Sequence, residues 1–280
     1  MDRVIIVRYN ELGLKGNNRP VFERQLERNI VALASRHGVS AVPHRKYGRL
    51  LVETLMDPSC FKRVFGIASV SRAQRVASLD AAKDVLKGML PSGSQTFRIS
   101  CQRLDKSFPI ESRKVAAELG AFVVEHSGAK VKLVGPDVDI GVEIIDGFVY
   151  VCEPRVACFG GLPSGVEGVV LVDLDQPHAE FAGLLMAKRG CAVFPFARSS
   201  RPADLLSAFL PSVVPVTVIS GETDVIALGQ RVHALSMVGS AVLPGPSIGV
   251  LPVLYPLTGM SEEEIKTYEQ AFTVGCCGHV

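Results

Sequence analysis

"VVLVDLDQPHAEFAGLLMAKRGCAV" (residues 169–193) reads as a strand, a tight turn, a helix and the start of a second strand. In nucleotide-binding α/β domains that first turn is rich in glycine, so that backbone N–H groups reach a phosphate at the helix N-terminus. Here the turn is Asp173-Leu174-Asp175-Gln176-Pro177-His178, with no glycine and two carboxylates. The stretch has the frame of a phosphate site and side chains that repel phosphate.

Working outward, the same alternation continues to the end of the chain. Strands are expected at 168–172, 191–196, 213–219 and 250–254, and helices at 178–189, 201–209, 223–236 and 261–271. Strands alternating with helices predict a parallel, doubly wound sheet. Upstream, "CFGGLPSG" (158–165) has the Gly/Pro punctuation of a linker, which we place at 158–166.

The first 77 residues follow a different order. Strand 3–9 leads through "NELGLKGNNR" into a helix that starts near Pro20, with Asn18 placed to cap it and Gly38 to close it. Strands 39–43 and 48–54, a short helix at 58–64 and strand 67–76 complete β-α-β-β-α-β, the ferredoxin-like pattern. From Ala81 a second α+β domain begins: helices to about Met89 and over 110–126, with strands "TFRISC", 131–134, 138–145 and 148–153. No internal repeat or low-complexity segment interrupts this order.

The 280 residues are enough for two or three domains, and the 48% hydrophobic content is enough for their cores. No run of about 18 apolar residues and no signal-peptide layout occurs, so a soluble, cytoplasmic protein without a membrane partner is expected. The seven cysteines are scattered and form no C-x-x-C pair, which reads as reduced thiols in a core. Residues 1–160 carry 24 Lys and Arg against 17 Asp and Glu, whereas residues 161–280 carry 6 against 11. A basic front and an acidic back point to a polyanionic partner for the front, with a merely solvated surface as the bland alternative.

Three basic clusters fit that partner. Lys15, Asn17, Asn18 and Arg19 adjoin a helix start, where they suit a phosphate or equally a turn and cap. His44-Arg45-Lys46-Tyr47-Gly48-Arg49 occupies an expected hairpin. In "FRISCQRLDKSFPIESRKVAAELG" (97–120), Arg98, Arg103, Lys106 and Lys114 surround Phe108, a pattern that suits RNA with a stacked base as well as an ordinary core aromatic.

"RYNELGLKGNNRPVFERQLERNI", "QRLDKSFPIESRKVAAELG", "GGLPSGVEG", "LLMAKRGCAV" and "PVLYPLTGMSEEEI" together resemble the tRNA 4-thiouridine synthetase (thiamine-biosynthesis sulfurtransferase, ThiI-like) family. The resemblance implies a ferredoxin-like domain over 1–77, an RNA-binding THUMP domain over 78–157 and, over 167–280, a truncated Rossmann-like domain of the adenine nucleotide α-hydrolase, or PP-loop, type. It implies that the first two domains grip the acceptor end of tRNA, with Lys15, Asn18, Arg19, Arg103, Lys106 and Ser107 in the matching motifs.

The family's pyrophosphate loop, Ser-Gly-Gly-x-Asp-Ser, falls on Leu174, Asp175, Gln176, Pro177, His178 and Ala179, and none of the six is kept. No cysteine occurs between Cys191 and Cys276, where the family carries its catalytic thiol. The expectation is therefore a tRNA-binding protein with no catalytic residue, bound metal or cofactor of its own. An active tRNA sulfurtransferase would need ATP and Mg through altered residues, or a partner protein supplying the chemistry. The resemblance also implies a homodimer. Cys276, Cys277 and His279 read as an inert tail, and His178 as a helix-start histidine beside a capping aspartate, with an acid–base group built on Asp173 and Asp175 as the other reading.

Overall fold

The computed structural model describes residues 3–212, 215–234, 236–238 and 251–274. The tail at Cys276, Cys277 and His279 lies outside them. In chain order the first elements are β1 (Arg3–Arg8), α1 (Arg19–Arg36), β2 (Ala41–Lys46), β3 (Arg49–Thr54) and β4 (Ser69–Val76). Next come α2 (Leu79–Lys87), β5 (Thr96–Arg103), α3 (Ser112–Ser127), β6 (Lys130–Val131), β7 (Val138–Ile145), β8 (Phe148–Cys152) and β9 (Val156–Ala157). The rest are β10 (Gly168–Asp173), α4 (Ala179–Lys188), β11 (Cys191–Ala197), α5 (Asp204–Phe209), β12 (Thr217–Val218), α6 (Glu222–Arg231), β13 (Ser236–Val238), β14 (Val253–Leu254) and α7 (Glu262–Val274).

These elements gather into two compact units that interleave along the chain. The first takes in the chain up to Arg8, Val42–Pro58 and Ser69–Val156; the second takes in Tyr9–Ala41, Ser59–Ala68 and the described residues from Ala157 on.

The first unit is built on one sheet, ordered β2-β3-β1-β4-β8-β7-β5-β6, with β9 beside β4. Antiparallel pairing of β4 with β8, Ala73 opposite Cys152, joins the strands of the ferredoxin-like segment to those of the segment after it. Period-2 patterning gives each strand two faces. Val142, Ile144, Val149 and Val151 pack under α2 and α3 with Leu86, Val115 and Leu119, while Tyr150 and Cys152 face the other way with Val4, Ile6 and Ala73.

That second face is strongly curled. Lys46 at the end of β2 pairs with Asp146 just after β7 at 2.6 Å. Four strands separate β2 from β7, about 24 Å if the sheet were flat. Inside the curl lies a buried ionic cluster: Arg8 Nε donates to Glu143 at 2.6 Å, Arg8 Nη1 to Ser71 Oγ at 3.0 Å, and Arg49 Nε to the other oxygen of Glu143 at 3.1 Å.

The second unit holds an all-parallel sheet ordered β12-β11-β10-β13-β14. Counted along the chain this is 3-2-1-4-5, so the strand order reverses between β10 and β13, as a doubly wound sheet requires. Helix α6 ends at Arg231, not at the expected 236, and Ser236–Val238 form a strand beside β10. The reason is local: His233 adopts φ +53° and Ala234 N–H returns to the carbonyl of Gly229, which ends the helix and turns the buried Met237 into the sheet.

Two further expectations are corrected here. Asn18 precedes α1, but its side chain makes no capping bond and its backbone is already helical. The stretch 158–166 is no loose linker. Its backbone bonds to Ile67, Ala68 and Lys188, and Leu162 and Ser164 are buried. Gly161 is required by this closeness, because at φ +81° a Cβ would stand 2.4 Å from the carbonyl oxygen of Lys188.

Candidate RNA-binding surface and the loop after β10

Three loops of the first unit converge at the open end of the curl: the β2–β3 tip, the β7–β8 turn and the segment between β5 and α3. The tip is a two-residue turn, Tyr47–Gly48, with φ of +45° and +78°. Lys46 beside it holds Asp146. Asp105 ties the other two loops together, accepting from Ser107 N–H and hydroxyl at 2.9 and 2.6 Å and from Gly147 N–H at 3.0 Å. The bonds from Ser107 keep the Asp105 carboxyl below the usual carboxylate range. Arg49 Nη2 reaches Gln102 at 2.8 Å, and Arg103 Nη1 donates to the carbonyl of Phe108 at 3.0 Å.

The sequence-predicted residues divide over this frame. Arg45, Lys106 and Lys114 are exposed, and Lys46, Arg103 and Ser107 border the same loops. Helix α3 opens with Ser112, Arg113 and Lys114 after the exposed Glu111 at its N-cap, and has no acidic residue in its first turn. Cations there oppose the helix dipole, an arrangement that favours an anion brought from outside. Phe108 is half-buried and packs against the core under α2 and α3, which fits the second of the two readings its sequence allowed, and its carbonyl accepts from Arg103. Arg98 lies toward the start of β5, paired with Asp139 and the carbonyl of Leu133. Lys15, Asn18 and Arg19 belong to the second unit. Lys15 pairs with Glu167 at 3.2 Å over the ring of Phe22, and Arg19 pairs with Glu23 at 2.7 Å and Tyr9; Asn18 is exposed.

In the second unit the loop after β10 sits at the carboxyl end of the sheet, where the strand order reverses. Such a switch point is where open α/β sheets take ligands. A cavity of about 550 Å³ opens there, lined by Leu174 to Phe181 with Arg201, Leu205 and Glu269. The loop's polar groups are engaged from within. Asp175 accepts from Arg198 N–H at 2.8 Å and Nη1 at 3.2 Å, which holds its carboxyl below the usual range, and Arg201 donates to the carbonyl of Leu174 at 2.7 Å.

His178 itself, in the left-handed region at φ +55°, occupies the N-cap position of α4. Its partners are not Asp173 and Asp175 but α7: Nδ1 meets Glu269 at 2.8 Å and Nε2 meets Glu262 at 3.3 Å. The hydrogen bond to Glu269, more than the nearby charges, pushes the imidazole pKa up. Asp173 serves the loop backbone, accepting from Asp175 N–H at 3.0 Å. Among the described thiols, burial pushes Cys101 up to about 11 and Cys152 up to about 12, poor settings for nucleophiles. Among the described residues no His, Cys, Asp and Glu cluster could hold a metal ion, and no helix is long and apolar enough to cross a membrane.

Asp105, Asp146, Arg8 and Glu143 escaped the reading of the sequence, which had Tyr47 and Arg49 only as members of a basic hairpin. The pair Tyr47–Gly48 between two β-rich runs signals the turn, but only the curl of the sheet reveals what it meets.

Comparisons with known proteins agree with this anatomy. The ThiI ferredoxin-like domain matches residues 4–71 and the THUMP domain residues 79–152. The chain is 38% identical over 201 residues to a probable tRNA sulfurtransferase of Moorella thermoacetica, covering 66% of this chain and 50% of that one. It is 34% identical over 212 residues to a probable tRNA sulfurtransferase of Thermococcus kodakarensis, covering 70% and 55%. The chain thus spans about half the length of the curated relatives it matches. Among solved structures, PH1313 from Pyrococcus horikoshii superposes with a TM-score of 0.86 at 27% identity, covering 97% of this chain and 99% of that one. A 4-thiouridine synthetase–RNA complex with bound ATP shares the fold with a TM-score of 0.77 at 24% identity, covering 97% and 85%.

Proposed function

We propose, for a chain that joins a ThiI ferredoxin-like domain to a THUMP domain and is related to the tRNA sulfurtransferases, that it binds the acceptor end of tRNA without adenylating it. The observation that carries the reading is the convergence of the β2–β3 tip, the β7–β8 turn and the β5–α3 segment. It brings Lys46, Arg103 and Lys106 to one end of the sheet, on loops of which one leads into a helix whose first turn holds Arg113 and Lys114. Such a surface holds phosphates by charge-assisted bonds and orients the backbone of a nucleic acid. The related synthetase crystallised with RNA and ATP supplies the substrate class.

On this reading ATP is disfavoured at the loop after β10, because Asp175, Glu180 and Glu269 line its cavity while Arg201 and His178 are already paired with carboxylates or backbone. Without glycine the backbone N–H groups cannot close around a phosphate. The reading therefore assigns this chain no adenylation step of its own; a partner protein or a second copy would have to contribute one.

The test is a titration of fluorescent tRNA at two salt concentrations, with and without Mg-ATP. Binding that weakens steeply with salt and is indifferent to Mg-ATP is expected. Failure to bind at low salt removes the RNA reading. A rise of several degrees in melting temperature with Mg-ATP restores an active nucleotide site and, with it, a sulfurtransferase acting through altered residues.

A further inference from the structure

Strand β5 is paired along its length on one side and only at its start on the other. Its register with β7 runs from Phe97 to Arg103, whereas β6 covers Thr96 and Phe97 alone. The carbonyl of Phe97 accepts from Lys132 N–H at 2.9 Å, so it points to the β6 side. Backbone groups along a strand face its two neighbours by turns, which puts the N–H and C=O of Ile99 and Cys101 on that same side, past the last residue of the ladder. Among the described residues no strand meets this edge. An open edge is a template for one more strand.

The edge borders a groove. Ala116, Ala117, Gly120 and Ala121 of α3 line a cavity of about 590 Å³ with Ile99 and Leu133, and Glu125 is its acidic residue. Small side chains leave this space: a Cβ on Gly120 would meet Ile99 Cγ1 at 4.0 Å and nothing closer. Ile99, Arg113 and Ala116 also line a second cavity of about 540 Å³, together with Arg98, Ser100, Ser112 and Arg155. The groove is therefore apolar at one end and cationic at the other. Asp139 accepts from Arg98 and Ser100. Arg113 and Arg155 make no ion pair among the described residues, and Arg98 Nε is buried with no hydrogen-bond partner.

We propose that the groove between β5 and α3 takes an extended acidic peptide that adds to the sheet as a strand, its apolar side chains seated on Ile99 and the small residues of α3 and its carboxylates on Arg113 and Arg155. Main-chain bonds to a free edge supply affinity in this mode, and the pockets beside it supply specificity. A nucleic acid would be drawn to the same cations, yet it has no alternation of amide donors and carbonyls to complete the ladder, and it would bury polar base edges against alkyl groups. The proposal stands apart from the RNA reading, since the two surfaces share only the first turn of α3.

The probe is a fluorescein-labelled peptide of about eight residues, the span of a strand, in which valine alternates with glutamate and serine. One control peptide replaces glutamate by lysine, and another carries proline at alternate positions so that its main chain cannot donate. The full chain is expected to bind the acidic peptide, to reject both controls, and to exchange the amides of Ile99 and Cys101 more slowly when the peptide is bound. Arg155→Glu weakens binding about 3- to 10-fold. Gly120→Leu, which fills the groove from a helix position where leucine is favoured over glycine, removes binding. Both variants keep the affinity for tRNA.

No binding of the acidic peptide overturns the proposal. Equal binding of the proline peptide does so too, because charge attraction would then act without strand addition. Full affinity in both variants places the peptide elsewhere and has the same effect. Slowed exchange at Ile99 and Cys101 with a blunt RNA duplex, and not with the peptide, gives the groove to nucleic acid; slowing that grows with protein concentration alone gives it to a second copy of the chain. A protein that binds the peptide but no tRNA loses the RNA reading and keeps this one.

Discussion

Glu143 is 1% exposed and receives both Arg8 and Arg49. Removing its charge strands Arg8, itself 5% exposed, in a place where water cannot replace the partner. Glu143→Gln is expected to cost about 3–5 kcal/mol, read as a lower denaturation midpoint in urea, whereas the triple change Arg8→Met, Arg49→Met and Glu143→Leu, which strands no cation, recovers most of it. At the surface the arithmetic differs. Lys106 makes no ion pair among the described residues, so Lys106→Glu leaves stability within about 0.5 kcal/mol. It weakens tRNA binding and flattens the salt slope by about 1. Arg19→Glu is the contrasting case: Arg19 is tied to Glu23 and Tyr9, so its replacement registers first as lost stability.

Helix α4 is held at both ends by specific contacts. At its C-terminal end, Gly161→Ala would drive a methyl group into the Lys188 carbonyl, for a loss of about 2 kcal/mol or more by thermal or chemical unfolding. At its start, His178 bridges to Glu262 and Glu269 of α7. Because the folded-state pKa is raised, this tie contributes fully below the ordinary histidine value of about 6.5 and is lost as pH rises through the higher folded value. The melting temperature of the unaltered protein minus that of His178→Asn is therefore expected to shrink from about pH 6 toward about pH 9. Elements with strong local signals were legible in the sequence: helices with apolar residues at 3.6-residue spacing, strands of β-branched residues, and the alternation that yields the parallel sheet. The strand Ser236–Val238 was not, since three residues show no period and their pairing with β10 is a long-range fact. The site was half legible for the same reason. Lys106 and Ser107 announce themselves in a motif, but the meeting of Asp105 with Gly147 and of Lys46 with Asp146 depends on how far the sheet curls.

At the scale of the molecule, pattern in the sequence divides the chain linearly while packing divides it by shared sheets. Strands β1, β3 and β4 of the ferredoxin-like segment continue through β8 into β7 and β5, so neither segment owns its sheet. A fragment ending at residue 77 lacks β8 and Glu143, leaves β4 with an open edge, and is expected to show no cooperative melting transition by circular dichroism. The ionic cluster in the curl also sets a clock on biosynthesis. Arg8 is made 135 positions before Glu143. At ordinary elongation rates that is a wait of roughly 7 to 27 seconds. Throughout that interval the nascent N-terminal strand carries a charge destined for burial and has no counter-ion to bury with it, so it stays open to chaperones until the last strands of the sheet leave the ribosome.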